Sequence, residues 1–209
     1  MLRFLLFFFV FRSLGTAGQA VTANNGFPFA GKTSGDLPFL EYGLGTDRLG
    51  GAKMTFLDTG VVMKVVDSTI INYKVQLSKD HFAYLPKTNF TKDSCIKLQP
   101  YYLTGSLIIA GNEKYDSVAV SLDEKLPYRS MQLIHPSRIV VDVFGATSNT
   151  NWITQRTSLK EVKNVYHEQL EDDVFRITVE LKHNQHWGYS IYYAGKRLVI
   201  KIKRQPADP

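Results

Sequence analysis

The chain runs VAVSLDEKLPYRSMQLIHPSRIVVDV over residues 118–143 and ITVELKHNQHWGYSIYYAGKRLVIKI over residues 177–202, at a constant offset of 59 residues. The two stretches differ in most identities but share the positions of apolar residues and turns, so the repeated element is a β supersecondary unit. Aligned without a gap, Tyr128 matches Trp187 and Arg138 matches Arg197. Two such units can bury their apolar faces on each other and leave two similar outer faces free for binding.

Strict alternation of apolar and polar residues predicts that each repeat forms strands with a single apolar face. In residues 174–181 the inward set is Phe175, Ile177, Val179 and Leu181. Burial of each large apolar side chain contributes about 1.5–3 kcal/mol, so two such sheets gain free energy by stacking. We therefore predict that residues 101–204 form a sandwich of two symmetric antiparallel four-stranded sheets.

The region before the repeat also has the pattern of an all-β protein. Residues 46–93 contain several short apolar runs separated by turn residues, a spacing that predicts a small β-barrel. Residues 21–45 are rich in Gly and Pro, and we expect an extended lead-in with little regular structure there. Residues 94–100 are predicted to be a linker, and residues 205–209 a tail.

The first 20 residues have the features of a secretory signal peptide. Arg3 provides the charged start, residues 4–11 the apolar run, and Gly18-Gln19-Ala20 the small residues of a cleavage site. The apolar run is far shorter than the roughly 20 residues of a membrane-spanning helix, and Arg12 ends it, so an uncleaved anchor is the weaker interpretation. We predict cleavage after Ala20, export to the periplasm, and a mature chain that does not span the membrane.

Charge and cysteine content exclude some classes of protein. The formal net charge of +6 falls to +4 once Arg3 and Arg12 leave with the signal peptide, with 23 basic and 19 acidic residues remaining. These charges are spread between the predicted strands instead of forming a basic stripe, so we expect no nucleic-acid partner. Cys95 is the single cysteine, so no intramolecular disulfide can form and stability must come from core burial.

Two parts of the chain resemble known families. Residues 136–146, PSRIVVDVFGA, resemble the signature of AMIN domains, which are non-catalytic modules of periplasmic N-acetylmuramoyl-L-alanine amidases and of some secretion pores. Residues 47–51, DRLGG, and Tyr84-Leu85-Pro86 resemble positions of a bacterial SH3-like domain. An SH3-like unit followed by an AMIN-like unit is similar to the N-terminal region of a class of zinc amidases. The resemblance implies attachment to peptidoglycan and a fold of two symmetric sheets.

The sequence does not contain the motifs of a catalytic centre, and we expect no enzymatic activity, metal or cofactor. A zinc amidase needs three protein ligands around an open position, and its His-bearing turn is missing from these 209 residues. His183 and His186 are the only close pair of histidines, but side chains three apart on an extended chain point to opposite sides. Cys95 is not followed by a helix that would activate its thiol. The acidic run of residues 171–173 has the character of a turn more than of a glycosidase carboxylate pair.

Peptidoglycan offers sugar faces and peptide carboxylates, which aromatic and arginine side chains recognise. The candidate ligand-binding residues are Arg138, Trp152, Arg156, Tyr192, Arg197, Tyr73 and Tyr84, with Tyr73 and Tyr84 lining a groove on the barrel. Alternatively the aromatics belong to the core, and Arg138 pairs with Asp142. The leading hypothesis is an exported, non-catalytic peptidoglycan-binding module that targets an amidase to the cell wall. The alternatives are a protein-interaction scaffold with an envelope protein as its partner, and an enzyme of unrecognised type.

Overall fold

The computed structural model describes residues 26–44, 51–151, 153–155, 158–171, 173–184 and 187–204. Within these ranges the protein is all-β, as the sequence predicts, with one short 3-10 helix at Lys87–Asn89. No helix in the described part of the chain has the length and apolar character needed to cross a membrane. The predicted signal peptide, residues 1–20, and the tail, residues 205–209, lie outside the described residues.

Seven antiparallel strands form an N-terminal sheet in the order β3-β2-β6-β5-β4-β1-β7. They are β1 (Phe29–Thr33), β2 (Phe39–Glu41), β3 (Lys53–Phe56), β4 (Val62–Ser68), β5 (Asn72–Gln76), β6 (Phe82–Pro86) and β7 (Phe90–Lys92). Leu40, Val65, Val75 and Leu85 are fully buried in its core. Val65, Val75 and Leu85 lie on β4, β5 and β6 and share one face of the sheet.

The expectation of little regular structure in residues 21–45 is wrong for β1 and β2. Strand β1 lies between β4 and β7 and pairs with both, so tertiary pairing satisfies its backbone groups although Gly and Pro surround it. Gly31 lies so close to Phe90 and to the carbonyl oxygen of Thr91 that a Cβ atom would collide with both. This close approach explains why a glycine lies in the middle of a strand. From the sequence alone, the same glycine indicates a loop.

Residues 93–101, which are all described, contain turns but no strand, and the sandwich follows. Its strands are β8 (Tyr102–Gly111), β9 (Tyr115–Leu122), β10 (Tyr128–Leu133), β11 (Arg138–Phe144), β12 (Ala146–Thr147), β13 (Ile153–Gln155), β14 (Val162–Leu170), β15 (Val174–Leu181), β16 (Tyr189–Ala194) and β17 (Arg197–Lys203). Sheet I has the order β12-β8-β9-β17-β16, with β13 also pairing with β8, and sheet II has the order β10-β11-β15-β14.

Each copy of the repeat contributes two hairpins, β8-β9 and β10-β11 from the first copy and β14-β15 and β16-β17 from the second. Each sheet combines the first hairpin of one copy with the second hairpin of the other. The contact is made by β9 with β17 in sheet I and by β11 with β15 in sheet II. Arg197 lies opposite Ser121, and Arg138 lies opposite Glu180, which is the same register shifted by 59 residues. Each sheet therefore has the four predicted antiparallel strands, and sheet I is extended by two short parallel strands, β12 and β13, beside β8.

The gap-free alignment of Tyr128 with Trp187 is wrong by two residues. Tyr128 lies opposite Val143, and Tyr189 lies opposite Ile202, while Val143 and Ile202 are themselves 59 residues apart. The structural counterpart of Tyr128 is therefore Tyr189. The reason is the turn: four residues, 134–137, separate β10 from β11, whereas only Gly195 and Lys196 separate β16 from β17.

The N-terminal sheet and the sandwich share one continuous hydrophobic core. Asp58 links them, because its Oδ2 accepts hydrogen bonds from the Tyr128 hydroxyl at 3.3 Å and from the Tyr193 backbone N–H at 3.1 Å. The Val62 N–H also donates to the Lys125 carbonyl oxygen at 2.9 Å. Burial, followed by the nearby Asp58 charge, raises the pKa of the Tyr128 hydroxyl well above its usual value. The two units are thus packed together as one body with polar links at the junction.

A buried carboxylate fixes the end of the sandwich where β14 begins. Asp116 is fully buried, and its Oδ2 accepts the backbone N–H groups of Lys160, Glu161 and Val162 at 3.0, 2.8 and 2.9 Å. Its Oδ1 accepts a hydrogen bond from Arg204 Nε at 2.9 Å. A buried carboxylate with this many charge-assisted partners is a structural anchor, and it joins the start of β14 to the residue that follows β17.

Candidate binding faces of the sandwich

The outer face of sheet II carries a network of charged side chains. Cross-strand partners in this sheet point to the same side, which places three arginines around one apolar stripe. This arginine face consists of Arg129, Met131, Arg138, Val140, Asp142, Tyr166, Glu168, Arg176, Thr178 and Glu180. Met131 and Tyr166 are exposed at the two ends of the stripe, and Val140 and Thr178 between them are buried. The face thus presents apolar ends beside fixed charges.

Asp142 holds two of these arginines in place. Its Oδ1 accepts from Arg176 Nε at 2.6 Å, and its Oδ2 accepts from Arg176 Nη2 at 3.0 Å and from Arg129 Nε at 3.1 Å. The Asp142 side chain is 1% exposed, whereas those of Arg129 and Arg176 are 26% and 27% exposed. The carboxylate is therefore hidden beneath two guanidinium groups that still reach solvent.

The electrostatics of the clamp favour the charged state of Asp142. Burial by itself raises the pKa of the carboxyl group, but the hydrogen bonds and positive charges of Arg176 and then Arg129 outweigh it, so the pKa of Asp142 is lowered. In turn, the hydrogen bond to Asp142 raises the pKa of Arg176. Both shifts favour the charged forms of Asp142 and Arg176, and Arg129 contacts the same carboxylate.

Arg138 lies on the same face, two residues before Val140 on β11. Its Nε is buried and has no hydrogen-bond partner among the described residues. The alternative that Arg138 pairs with Asp142 is wrong, since the arginines that form ion pairs with this carboxylate are Arg129 and Arg176. A buried donor without a partner costs free energy, and a ligand with an acceptor atom would relieve that cost.

The outer face of sheet I has the opposite character, because small side chains cover most of it. This serine face consists of Ser106, Ile108, Ser117, Ala119, Ser121, Tyr192, Arg197, Val199 and Lys201. Tyr192 is 38% exposed and lies opposite Val199, and Arg197 is exposed on the same face of the hairpin. The structure therefore brings two of the predicted residues, Tyr192 and Arg197, together on one face and places Arg138 on the other.

The two predicted barrel tyrosines do not share a groove. Tyr73 lies opposite Leu85 in the sheet, whereas Tyr84 lies opposite Lys74, so their side chains point to opposite faces. Tyr73 packs in an aromatic cluster, with ring-centroid distances of 5.6 Å to Phe29 and 5.1 Å to Phe90. The expectation of a groove lined by both residues is wrong, because successive residues of a strand face opposite sides of the sheet and Tyr84 pairs with the neighbour of Tyr73.

Two further predicted residues, Trp152 and Arg156, lie outside the described residues. Sequence reasoning did not select Arg129, Met131, Tyr166 and Arg176 as candidate binding residues. All four occupy outward positions of alternating strands, which is the signal that could have identified them. Their grouping depends on which strands become neighbours, and the exchange of hairpins between the two repeats decides that.

Within the ranges that the structure describes, no group of three His, Cys, Asp or Glu side chains is close enough to hold a metal ion. His183 Nδ1 lies 3.0 Å from Glu161 Oε2, while His186 lies outside the described residues. Cys95 is exposed in the segment between the two units. The Cys95 backbone N–H donates to Asp93 Oδ1 at 2.9 Å, which is a local turn contact.

Comparison with known proteins finds one family model that matches most of the sandwich. Residues 108–203 match the family model of the AMIN domain, which is a non-catalytic module of the cell envelope. The resemblance inferred from residues 136–146 is confirmed for this part of the chain, while the SH3-like resemblance of the N-terminal sheet stays a prediction. No curated protein and no solved structure matches the chain.

Proposed function

We propose that the protein is an exported, non-catalytic peptidoglycan-binding module that targets an N-acetylmuramoyl-L-alanine amidase to the cell wall. The match of residues 108–203 to the AMIN domain supports this function. The observation that carries the assignment to one surface is the clamp on the arginine face, where buried Asp142 holds Arg129 and Arg176 in fixed positions. In this proposal the N-terminal sheet is the SH3-like companion module and the location is the periplasm.

The chemistry of the arginine face suits a ligand that combines sugars with carboxylates. Arg129 and Arg176 each direct one edge of the guanidinium group at Asp142, and the remaining N–H groups can bind a peptide carboxylate. Because the clamp already restricts both side chains, binding costs less conformational entropy than it would for free arginines. Exposed Tyr166, at the end of the apolar stripe, offers a ring for contact with a sugar face.

Retention on purified sacculi tests the proposal with a matched pair of double variants. Tyr166→Ala with Arg138→Gln alters the arginine face, and Tyr192→Ala with Arg197→Gln makes the same chemical change on the serine face. We expect the first variant to bind sacculi at least about tenfold more weakly, since an aromatic and a charge-assisted contact are lost. The second is expected to retain most of the affinity of the unmodified chain.

Two outcomes would contradict the assignment. Wild-type retention no greater than that of an unrelated basic protein of similar size and charge would remove the peptidoglycan function. A loss confined to the Tyr192/Arg197 variant would move the site to the serine face. Circular dichroism of each variant checks that the fold is preserved.

The serine face supports a second candidate function, an envelope scaffold that binds another protein. Its small side chains make it flat, and Tyr192 and Ile153 are exposed on or beside it, which suits contact with a protein surface. Under this alternative, a crosslinked envelope protein would be recovered after muramidase digestion of the sacculi, and the Tyr192/Arg197 variant would lose it.

A further inference from the structure

A cavity of about 540 Å³ lies where the N-terminal sheet, residues 98–102 and the sandwich meet. Its volume is within the range of pockets that hold small organic ligands, about 300–1,000 Å³. Because both units and the segment between them contribute to its lining, neither unit could form the cavity by itself. It is separate from the arginine face and from the serine face.

The floor of this junction cavity is apolar and preformed. Leu77, Leu126 and Phe144 line it and are 4%, 2% and 1% exposed. Phe144 is held by the His81 ring, whose centroid lies 5.3 Å away, and the Leu126 N–H donates to the Tyr193 hydroxyl at 2.9 Å. A floor fixed in this way does not have to be ordered when a ligand binds.

The rim of the cavity carries basic and amphipathic side chains. Lys64 and Lys79 both line it, and neither is in an ion pair with another described residue. Tyr101, 56% exposed, and Tyr102 stand on the side formed by the connecting segment. Among the described residues of the lining, Asp173 is the one that is acidic. The balance favours a ligand with more carboxylates than amines and with small apolar groups.

We infer that the junction cavity binds the carboxylate-bearing end of a peptidoglycan stem peptide. Lys64 and Lys79 form ion pairs with the peptide carboxylates, and the alanine methyl groups pack on the apolar floor. Asp173 forms an ion pair with the side-chain amine of a diamino acid. The choice of a wall peptide as the source of the carboxylate rests on the proposed wall function. A protein C-terminus carries the same terminal group but differs in the chirality of its residues.

Calorimetric titration of the mature chain with three soluble dipeptides tests the site. The probes are N-acetyl-D-alanyl-D-alanine, its C-terminal amide, and N-acetyl-L-alanyl-L-alanine. We expect the D,D acid to bind, and the amide and the L,L acid to bind at least about tenfold more weakly, because the amide removes the charge and the L,L isomer directs its methyl groups elsewhere. Equal binding of the amide, or binding of the L,L acid as tightly as the D,D acid, would overturn the inference.

Charge variants locate the binding. The Lys64→Gln, Lys79→Gln double variant is expected to weaken D,D-dipeptide binding about tenfold or more. Lys163→Gln, an exposed lysine on β14 outside the cavity, is the matched control and should leave binding unchanged. Unchanged binding in the double variant would overturn the site even if sacculi are retained. Conversely, loss of sacculus retention in the Tyr166/Arg138 variant with intact dipeptide binding would separate the two sites.

Discussion

The Ser130 Oγ and the Tyr189 hydroxyl, 59 residues apart in the chain, lie 3.0 Å from each other. Ser130 belongs to β10 and Tyr189 to β16, which are edge strands of the two sandwich sheets. Both residues lie opposite buried partners, Val141 and Ile202, so their side chains point into the sandwich. This hydrogen bond joins the two sheets along one edge and links corresponding hairpins of the two repeats.

Replacement of Asp142 by Asn should destabilise the protein. The change leaves Arg129 and Arg176 without the buried charge that both of them contact, and loss of one partner of such a cluster costs about 2–4 kcal/mol. Urea denaturation followed by circular dichroism measures the free energy of unfolding. Glu168→Gln, an exposed residue of the same face, is the control and should change stability by less than about 0.5 kcal/mol. Equal effects of the two variants would contradict the clamp.

The same carboxylate predicts a dependence of stability on pH. Its pKa in the folded protein is lowered below 3.8, so the unfolded chain binds the proton more tightly. The contribution of Asp142 is fully present above the pKa of the unfolded chain and is lost as pH falls through the folded value. The difference in unfolding free energy between wild type and Asp142→Asn should therefore be constant from about pH 5 to 7 and shrink below about pH 4. A difference that grows on acidification would be incompatible with a lowered pKa.

Gly31→Ala should disrupt the N-terminal sheet. The new Cβ would collide with the Phe90 ring and with the backbone carbonyl oxygen of Thr91, and the oxygen can move only if β7 moves. We expect a loss of roughly 1–3 kcal/mol, the usual cost of overpacking. At Gly105 a new Cβ would lie 3.3 Å from its nearest neighbour, the Ser121 Cβ, so Gly105→Ala is the milder control. Thermal unfolding of both variants gives the comparison, and equal melting temperatures would argue against the close packing of β1 on β7.

Tyr193→Phe should destabilise the sandwich. The Tyr193 hydroxyl donates to the Leu126 carbonyl oxygen at 2.7 Å and accepts from the Leu126 N–H at 2.9 Å. Removal leaves two buried backbone groups without a partner, at a cost of about 1–3 kcal/mol. Denaturation midpoints should fall for this variant and remain near wild type for Tyr192→Phe, the exposed neighbour on the same strand. A fall of the same size in Tyr192→Phe would refute the role of the buried hydroxyl.

Ionisation of Tyr193 should also be suppressed. Burial raises the pKa of its hydroxyl far above the usual value, against a smaller opposing effect of the hydrogen bond to Leu126. A group with a raised pKa in the folded state contributes stability below its unfolded pKa of about 10 and loses it as pH rises further. Ultraviolet titration should count the same number of ionised tyrosines in folded wild type and folded Tyr193→Phe. After alkaline unfolding, the variant should show one fewer than wild type. A tyrosine signal missing from the variant before unfolding would contradict the suppression.

Alternation and repetition in the sequence predicted the sandwich because they depend only on local geometry. Of the inward set of β15, Phe175, Ile177 and Val179 are buried as expected, and Leu181 is partly buried against the core. The strands β1 and β2 were missed because a glycine such as Gly31 indicates a loop from sequence alone. Its role in a strand depends on the tertiary contact with Phe90. The clamp was missed for a similar reason: Asp142 and Arg176 are 34 residues apart and meet only through the pairing of β11 with β15.

For the repeated strands of the sandwich, the sequence alone determined which residues form strands and which side of each strand is apolar, since both follow from a two-residue period along one chain. Residues 108–203 also match the AMIN family model. Only the tertiary structure decided which hairpins became neighbours, and so which outward side chains share a face. Strand pairing is a contact between distant segments, and a repeat permits pairing within one copy as well as exchange between copies. The grouping of Arg129, Asp142 and Arg176, and the cavity between the two units, follow from that choice.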